Sequence, residues 1–122
     1  MPQIPATTLL PALRLSIGLG GWAAPSLVAK SFGFRCDAQD AYVLRLFASR
    51  DVALAAGSLV GPAKSRRMWW QIGLACDTAD AAASIIGLRE GGPKLGMTLA
   101  TAVAVGAAGL GVAALLSDPK AA

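Results

Sequence analysis

Two aspartates, Asp77 and Asp80, lie in the middle of an apolar stretch that runs from Met68 to Leu88. The stretch has the length of a helix that crosses a membrane, for which about 20 residues are needed. A carboxylate at that depth is costly unless a cation or a water-filled cavity receives it. The other apolar stretches hold further charges that could interact with these two: Arg14, Arg45, Arg50 and Asp51.

These six charges form a predicted polar network inside the membrane. Three cations and three anions balance, as mutual neutralisation requires, because an unpaired ion in a low dielectric costs much more than a paired one. The depth of each charge in the membrane can be counted from the ends of its apolar stretch. This count favours two arginine–aspartate pairs near the middle of the membrane: Arg14 and Arg50 with Asp77 and Asp80. Asp51 is then left to pair with Arg45 or to be protonated.

The network has two interpretations. It can act only in structure, by fixing the register of the helices, or it can form a polar site for a substrate, a lipid headgroup, a quinone or a proton. In an enzyme acting on a lipid-like substrate, Asp77 or Asp80 would be the acid or base and Arg14 or Arg50 would hold an anionic group. In a small transporter, the carboxylates would carry protons. The sequence does not decide whether the protein is an enzyme.

The composition favours a membrane location for the whole chain. Of its 122 residues, 55% are hydrophobic and 15% are charged. No stretch is left over for a soluble domain, so residues 1–122 are predicted to form one transmembrane domain with spans at residues 5–24, 41–60, 68–88 and 96–116. We expect an all-α protein, an integral membrane four-helix bundle that crosses the cell membrane several times and contacts membrane lipids.

Other classes of site lack the residues they need. The net charge of +4 comes from scattered basic residues without a nucleic-acid-binding motif, and attraction to anionic lipids accounts for it. The chain has no histidine and no Cys-x-x-Cys, which argues against zinc, haem and a serine hydrolase triad. We therefore expect no nucleic-acid partner, no metal and no cofactor.

Glycines give the predicted helices faces for close packing. They occur in pairs in three of the spans: Gly18 with Gly21, Gly57 with Gly61, and Gly106 with Gly109. The second pair forms a GxxxG sequence, a common motif of helix dimers. These faces favour a non-enzymatic accessory or scaffold protein, which packs against a second copy or within a larger membrane complex.

Aromatic and acidic residues mark the ends of the spans. Trp69 and Trp70 follow a basic connector and are predicted to anchor the helix at one membrane surface, with Trp22 and Tyr42 at the other. Residues 26–34 are too short to span and predict a turn or short helix at the surface. Asp37 and Asp40 are spaced as an N-cap and a first-turn acid of the second span.

The orientation depends on the basic residues at the two membrane surfaces. Each side has four of them: Lys64, Arg66, Arg67 and Lys120 on the side of the termini, and Lys30, Arg35, Arg89 and Lys94 on the other. The compact, acid-free triplet in the second connector favours cytoplasmic termini.

Short motifs spread over most of the chain suggest a family. They are LRLSIG at 13–18, Pro25 with FGF at 32–34, RLFASRD at 45–51 and DxxD at 77–80. With these motifs, the chain resembles a family of small four-helix bacterial membrane proteins of unknown function, similar in layout to the wider DoxX-like group. The resemblance implies a four-helix membrane bundle. Some DoxX-like proteins are implicated as partners of redox proteins, and this chain lacks a redox cysteine pair.

Overall fold

The structure, a computed structural model, describes residues 3–118 and contains five α-helices and no strand in that range. The helices are α1 (Ala6–Ala23), α2 (Pro25–Ser31), α3 (Ala38–Val60), α4 (Arg66–Arg89) and α5 (Lys94–Ser117), with a 3-10 turn at Ala63–Ser65. The all-α class is confirmed, and each predicted span lies on one of the four long helices. Lys120, one of the basic residues used for orientation, lies outside the described residues.

The four long helices pack as two antiparallel pairs. α1 lies along α3 and α4 lies along α5, while α1 also contacts α5 and a smaller interface joins α3 to α4. Residues 24–37 and 90–93 connect the helices at one end of the bundle, and residues 61–65 connect them at the other. The short helix α2 rests against α1 and α3 at the first of these ends.

The beginning of α3 is fixed by a capping box. The Asp40 backbone N–H donates to the Asp37 carboxylate at 2.8 Å, and the Asp37 N–H donates to the Asp40 carboxylate at 3.1 Å. Each side chain thus satisfies a backbone donor that the first turn would leave unpaired. The bond from the Asp40 N–H lowers the pKa of exposed Asp37 below its ordinary value. The predicted N-cap is therefore confirmed.

The α1–α3 interface requires glycine. A Cβ on Gly18 would lie 2.6 Å from Val52 Cγ2 and 2.9 Å from the Ala48 carbonyl oxygen, and one on Gly21 would lie 3.1 Å from Ala48 Cβ. A carbonyl oxygen on a helix backbone cannot move aside as a flexible side chain can. The predicted packing at these two glycines is therefore an interface within the chain.

The other two glycine pairs lie in different surroundings. Gly57 and Gly61 are covered by the indole ring of Trp69, so this GxxxG packs inside the chain and its face is not free for a second copy. Gly106 and Gly109 have no atom within 4 Å of a built Cβ, so they do not pack against the described part of the chain. The inward face of α5 is a different set of small residues: Ala104, Ala107, Gly111 and Ala114.

The interior holds small residues and charges, and much of the large apolar surface faces outward. Arg14, Asp51 and Asp77 are 4–5% exposed. Each long helix exposes at least one large apolar side chain: Leu19 is 59% exposed, Leu46 55%, Ile86 52% and Leu116 84%. Charged side chains are almost never fully buried unless they are paired, so Arg14, Asp51 and Asp77 need partners in the interior.

Among residues 3–118, one helix, Lys94–Ser117, is both long and apolar enough to cross a membrane by length and composition. The other three long helices carry the charges of the predicted network, which lower their mean hydropathy. The expectation of four spans therefore has this direct support for its last span alone.

The structure also places the predicted aromatic anchors. Trp22 and Tyr42 are 54% and 63% exposed, as anchors at a surface would be. Trp70 is not: it is 3% exposed, and its indole N–H donates to the Asp118 carboxylate at 3.0 Å. Trp69 is half-buried, and its indole ring packs on Gly57.

Replacing Gly18 by alanine tests the α1–α3 interface. We expect Gly18→Ala to lower the free energy of unfolding by about 1–3 kcal/mol, the usual cost of overpacking. Gly106→Ala is the matched control: its Cβ would meet nothing within 4 Å, and alanine is the better helix former. Thermal unfolding followed by circular dichroism should show a lower midpoint for Gly18→Ala only, and an equal response of both variants would contradict the interface.

Candidate functional site

Arg14 and Asp77 form a buried ion pair across the bundle, from α1 to α4. Arg14 Nη2 donates to Asp77 Oδ2 at 2.8 Å and Nη1 donates to Oδ1 at 3.2 Å, with both side chains about 5% exposed. Gly73 makes room for this contact, because a Cβ there would lie 2.6 Å from Arg14 Nη2. The glycine lies one helical turn before Asp77 on the same face, so α4 presents both the space and the carboxylate.

Arg50 and Asp80 form a second pair, from α3 to α4. Arg50 Nη1 donates to Asp80 Oδ1 at 3.1 Å, and Nη2 donates to Oδ2 of the same carboxylate. These side chains are 33% and 27% exposed, so this pair is less buried than the first. The guanidinium also lies over the Phe47 ring, 4.6 Å from its centroid. Both of the arginine–aspartate pairs predicted from the sequence are thus present as contacts.

Asp51 does not pair with Arg45, which was one of the two alternatives predicted for it; the other, a protonated Asp51, stays a prediction. It lies 3.7 Å from Arg14 Nη1, farther than a hydrogen bond, and not beside Arg45. Arg45 instead donates from Nε to the Trp22 carbonyl oxygen at 3.0 Å and lies over the Trp22 ring. Asp51 lies six positions after Arg45, which on a helix turns their side chains about 120° apart. Asp51 therefore points to the bundle interior, and Arg45 to the end of α1.

The charges lie at the inner end of a cavity of about 490 Å³. All five helices contribute to its lining. Its walls are largely apolar, and they include Leu13, Ile17, Phe32, Phe47 and Val103. Three lining residues that are exposed at the 24–37 end of the bundle mark its mouth: Arg35, Gln39 and Asp40.

Buried charges form the polar end of this cavity. Arg14, Asp51 and Asp77 all line it and are all buried, and half-buried Asp80 lines it beside them. Both oxygens of Asp77 and both of Asp80 accept from a guanidinium. Asp51 makes no hydrogen bond within residues 3–118, so it is the carboxylate with free acceptor capacity toward the cavity.

The sequence did not predict the cavity walls. One signal for a cavity wall is present in the sequence of α3. Three of the lining residues are spaced four positions apart and therefore share one helix face: Val43, Phe47 and Asp51. The spacing alone does not separate a cavity wall from an ordinary packed face.

The described residues contain no cluster of three histidine, cysteine or carboxylate side chains arranged to hold a metal ion. Comparison of the chain with protein-family models, with curated proteins and with solved structures finds no match. The resemblance to the DoxX-like group therefore stays a prediction, and the function is argued from the site alone.

Removing each carboxylate in turn tests the two ion pairs. Asp77→Asn leaves a buried guanidinium with only the distant Asp51, and we expect a loss of about 3 kcal/mol or more in the free energy of unfolding. Asp80→Asn, in the partly exposed pair, should cost about 1 kcal/mol or less. Denaturant unfolding of both variants measures the difference. Equal losses would contradict the ranking by burial.

Proposed function

We propose that the chain is an integral membrane bundle with four spans and that it binds a small lipid-like molecule in its central cavity. One observation carries the proposal: the long helices bury charged side chains and expose large apolar ones, and they surround an apolar cavity with a charged inner end. The bound molecule would enter with its apolar part against the walls and its polar group toward the ion pairs. This role requires no chemical step.

Outward apolar surface supports the four spans. α3 exposes Tyr42 and Leu46, and α4 exposes Ile85 and Ile86, each by 43% or more. A soluble monomer rarely leaves apolar patches of this extent in water. The ion pairs explain why mean hydropathy is low for α1, α3 and α4: a charge costs about 2.5–3.5 kcal/mol at the centre of a single inserted helix, and a partner on another helix offsets that cost.

The exposed hydroxyl groups are also compatible with lipid. Ser16 Oγ donates to the Ala12 carbonyl oxygen at 2.8 Å, and Thr78 Oγ1 donates to the Leu74 carbonyl oxygen at 2.8 Å. Both bonds run back one turn along the same helix. These hydroxyls need no water, which a hydrocarbon environment would not supply.

The cavity supports the binding role. Its volume of about 490 Å³ lies within the range of about 300–1,000 Å³ that is typical of small-molecule sites. Both Asp77 and Asp80 are engaged by arginine through both oxygens, so neither is free to exchange a proton with a substrate. The geometry therefore favours binding over an enzyme that uses these two residues as acid or base.

A second candidate function is that of an accessory or scaffold subunit, and one observation favours it. The face of α5 that carries Gly106 and Gly109 has no neighbour among the described residues, and small residues allow a second helix to approach closely. This face is separate from the cavity, so the two functions are compatible.

Labelling of single cysteines tests the number of spans. Four spans put Cys36 and a Glu90→Cys variant on one side of the membrane and a Lys64→Cys variant on the other, in backgrounds lacking the other native cysteines. A membrane-impermeant maleimide on intact cells should label positions 36 and 90 and not 64, if the termini are cytoplasmic. Permeabilised cells should label all three. Identical accessibility of the three positions in intact cells would contradict four spans.

Filling the cavity tests the binding role. Ala100 lines the cavity, whereas Ala102 on the same helix faces outward. We expect wild type and Ala102→Phe, purified in mild detergent, to carry a small organic molecule that solvent extraction and mass spectrometry detect. Ala100→Phe should lose it, because the ring occupies the same space. A wild-type protein without any bound molecule, or equal loading of the two variants, would contradict the proposal.

A further inference from the structure

We infer that the cavity takes a hydrophobic organic cation, with Asp51 as its counter-ion. The inference rests on the binding function proposed above and assigns the class of the ligand. It depends on the balance of charge around the cavity, on the hydrogen bonds already made there, and on the apolar walls.

Negative charge exceeds positive charge in the cavity lining. The charged lining residues are two cations, Arg14 and Arg35, and four carboxylates, Asp40, Asp51, Asp77 and Asp80. Arg50 adds one positive charge from behind Asp80, which still leaves one carboxylate in excess. The cavity therefore attracts a positive group and repels an anionic one.

The excess carboxylate can be assigned to Asp51. Arg14 donates both of its Nη groups to Asp77, and Arg50 donates both of its own to Asp80. Asp51 is 4% exposed, its nearest cation is Arg14 Nη1 at 3.7 Å, and its carboxylate accepts no hydrogen bond from residues 3–118. A buried carboxylate without a hydrogen bond is unfavourable, and a cationic ligand head beside it would supply the missing partner.

The walls indicate that the body of the ligand is apolar. Leu13, Ile17 and Val103 line the cavity together with three phenylalanines, Phe32, Phe34 and Phe47. Aromatic rings attract organic cations through their π-faces. A small inorganic cation would not match these walls, and the described residues lack a three-ligand metal cluster. An ammonium or phosphonium group with apolar substituents fits both parts of the cavity.

A pair of ions of the same size and opposite charge tests the sign of the ligand. Tetraphenylphosphonium and tetraphenylborate would be offered to the full-length protein in uncharged detergent micelles. Binding would be measured by equilibrium dialysis against micelles without protein. We expect saturable binding of the phosphonium, with borate binding weaker by about tenfold or more. Equal or tighter binding of borate would overturn the inference, whether or not any variant folds.

Two variants then test the counter-ion. Asp51→Asn should weaken phosphonium binding by about tenfold or more. Glu90→Gln, which removes a negative charge outside the cavity lining, should leave it unchanged. Equal affinities of Asp51→Asn and wild type would overturn the assignment to Asp51.

If neither ion binds but wild type still carries a molecule that Ala100→Phe loses, the cation inference fails and the binding function stands. If there is also no such molecule, both fail.

Discussion

Two arginine side chains reach aspartates on a different helix inside the bundle, and the rest of the structure depends on these contacts. A guanidinium without a partner in that interior would be far more costly than a paired one. The Arg14–Asp77 pair therefore joins α1 to α4, and the Arg50–Asp80 pair joins α3 to α4. Because each contact is bidentate, it fixes the rotation of both helices as well as their distance.

Small residues permit those contacts. Gly18 and Gly21 let α1 approach α3, and Gly73 leaves the space that the Arg14 side chain occupies. A larger residue at position 73 would push the guanidinium away from Asp77, one turn further along α4. Gly73 thus makes room for the Arg14–Asp77 pair, and Gly18 and Gly21 serve the contact between α1 and α3. Neither role needs a second copy of the chain.

The same arrangement leaves a cavity. The charged side chains hold α1, α3 and α4 together near the middle of the bundle. Toward the 24–37 end, apolar side chains line the cavity, and Val28 and Ala29 of α2 form part of its wall. The two engaged carboxylates join helices, whereas Asp51 lines the cavity and accepts no hydrogen bond from the part of the chain that the structure describes. One layer of charges therefore supports both interpretations drawn from the sequence, with different residues in each.

The long helices, their limits and the capping box at Asp37 follow from local sequence. Proline and glycine interrupt the helices, and a side-chain cap needs only residues three positions apart. The two arginine–aspartate pairs were also predictable, because few charges are available inside the apolar stretches and each needs a partner.

What the sequence alone could not determine is which helix faces meet. Gly57 and Gly61 contact Trp69, and Trp70 is buried, whereas Gly106 and Gly109 face outward. Asp51 lies near Arg14 instead of Arg45. Each of these depends on how one helix is rotated against another, which is set by the sum of many contacts between residues far apart in the chain. The sequence determined which residues must be partnered, and the tertiary structure decided which partner each one has and where a cavity remains.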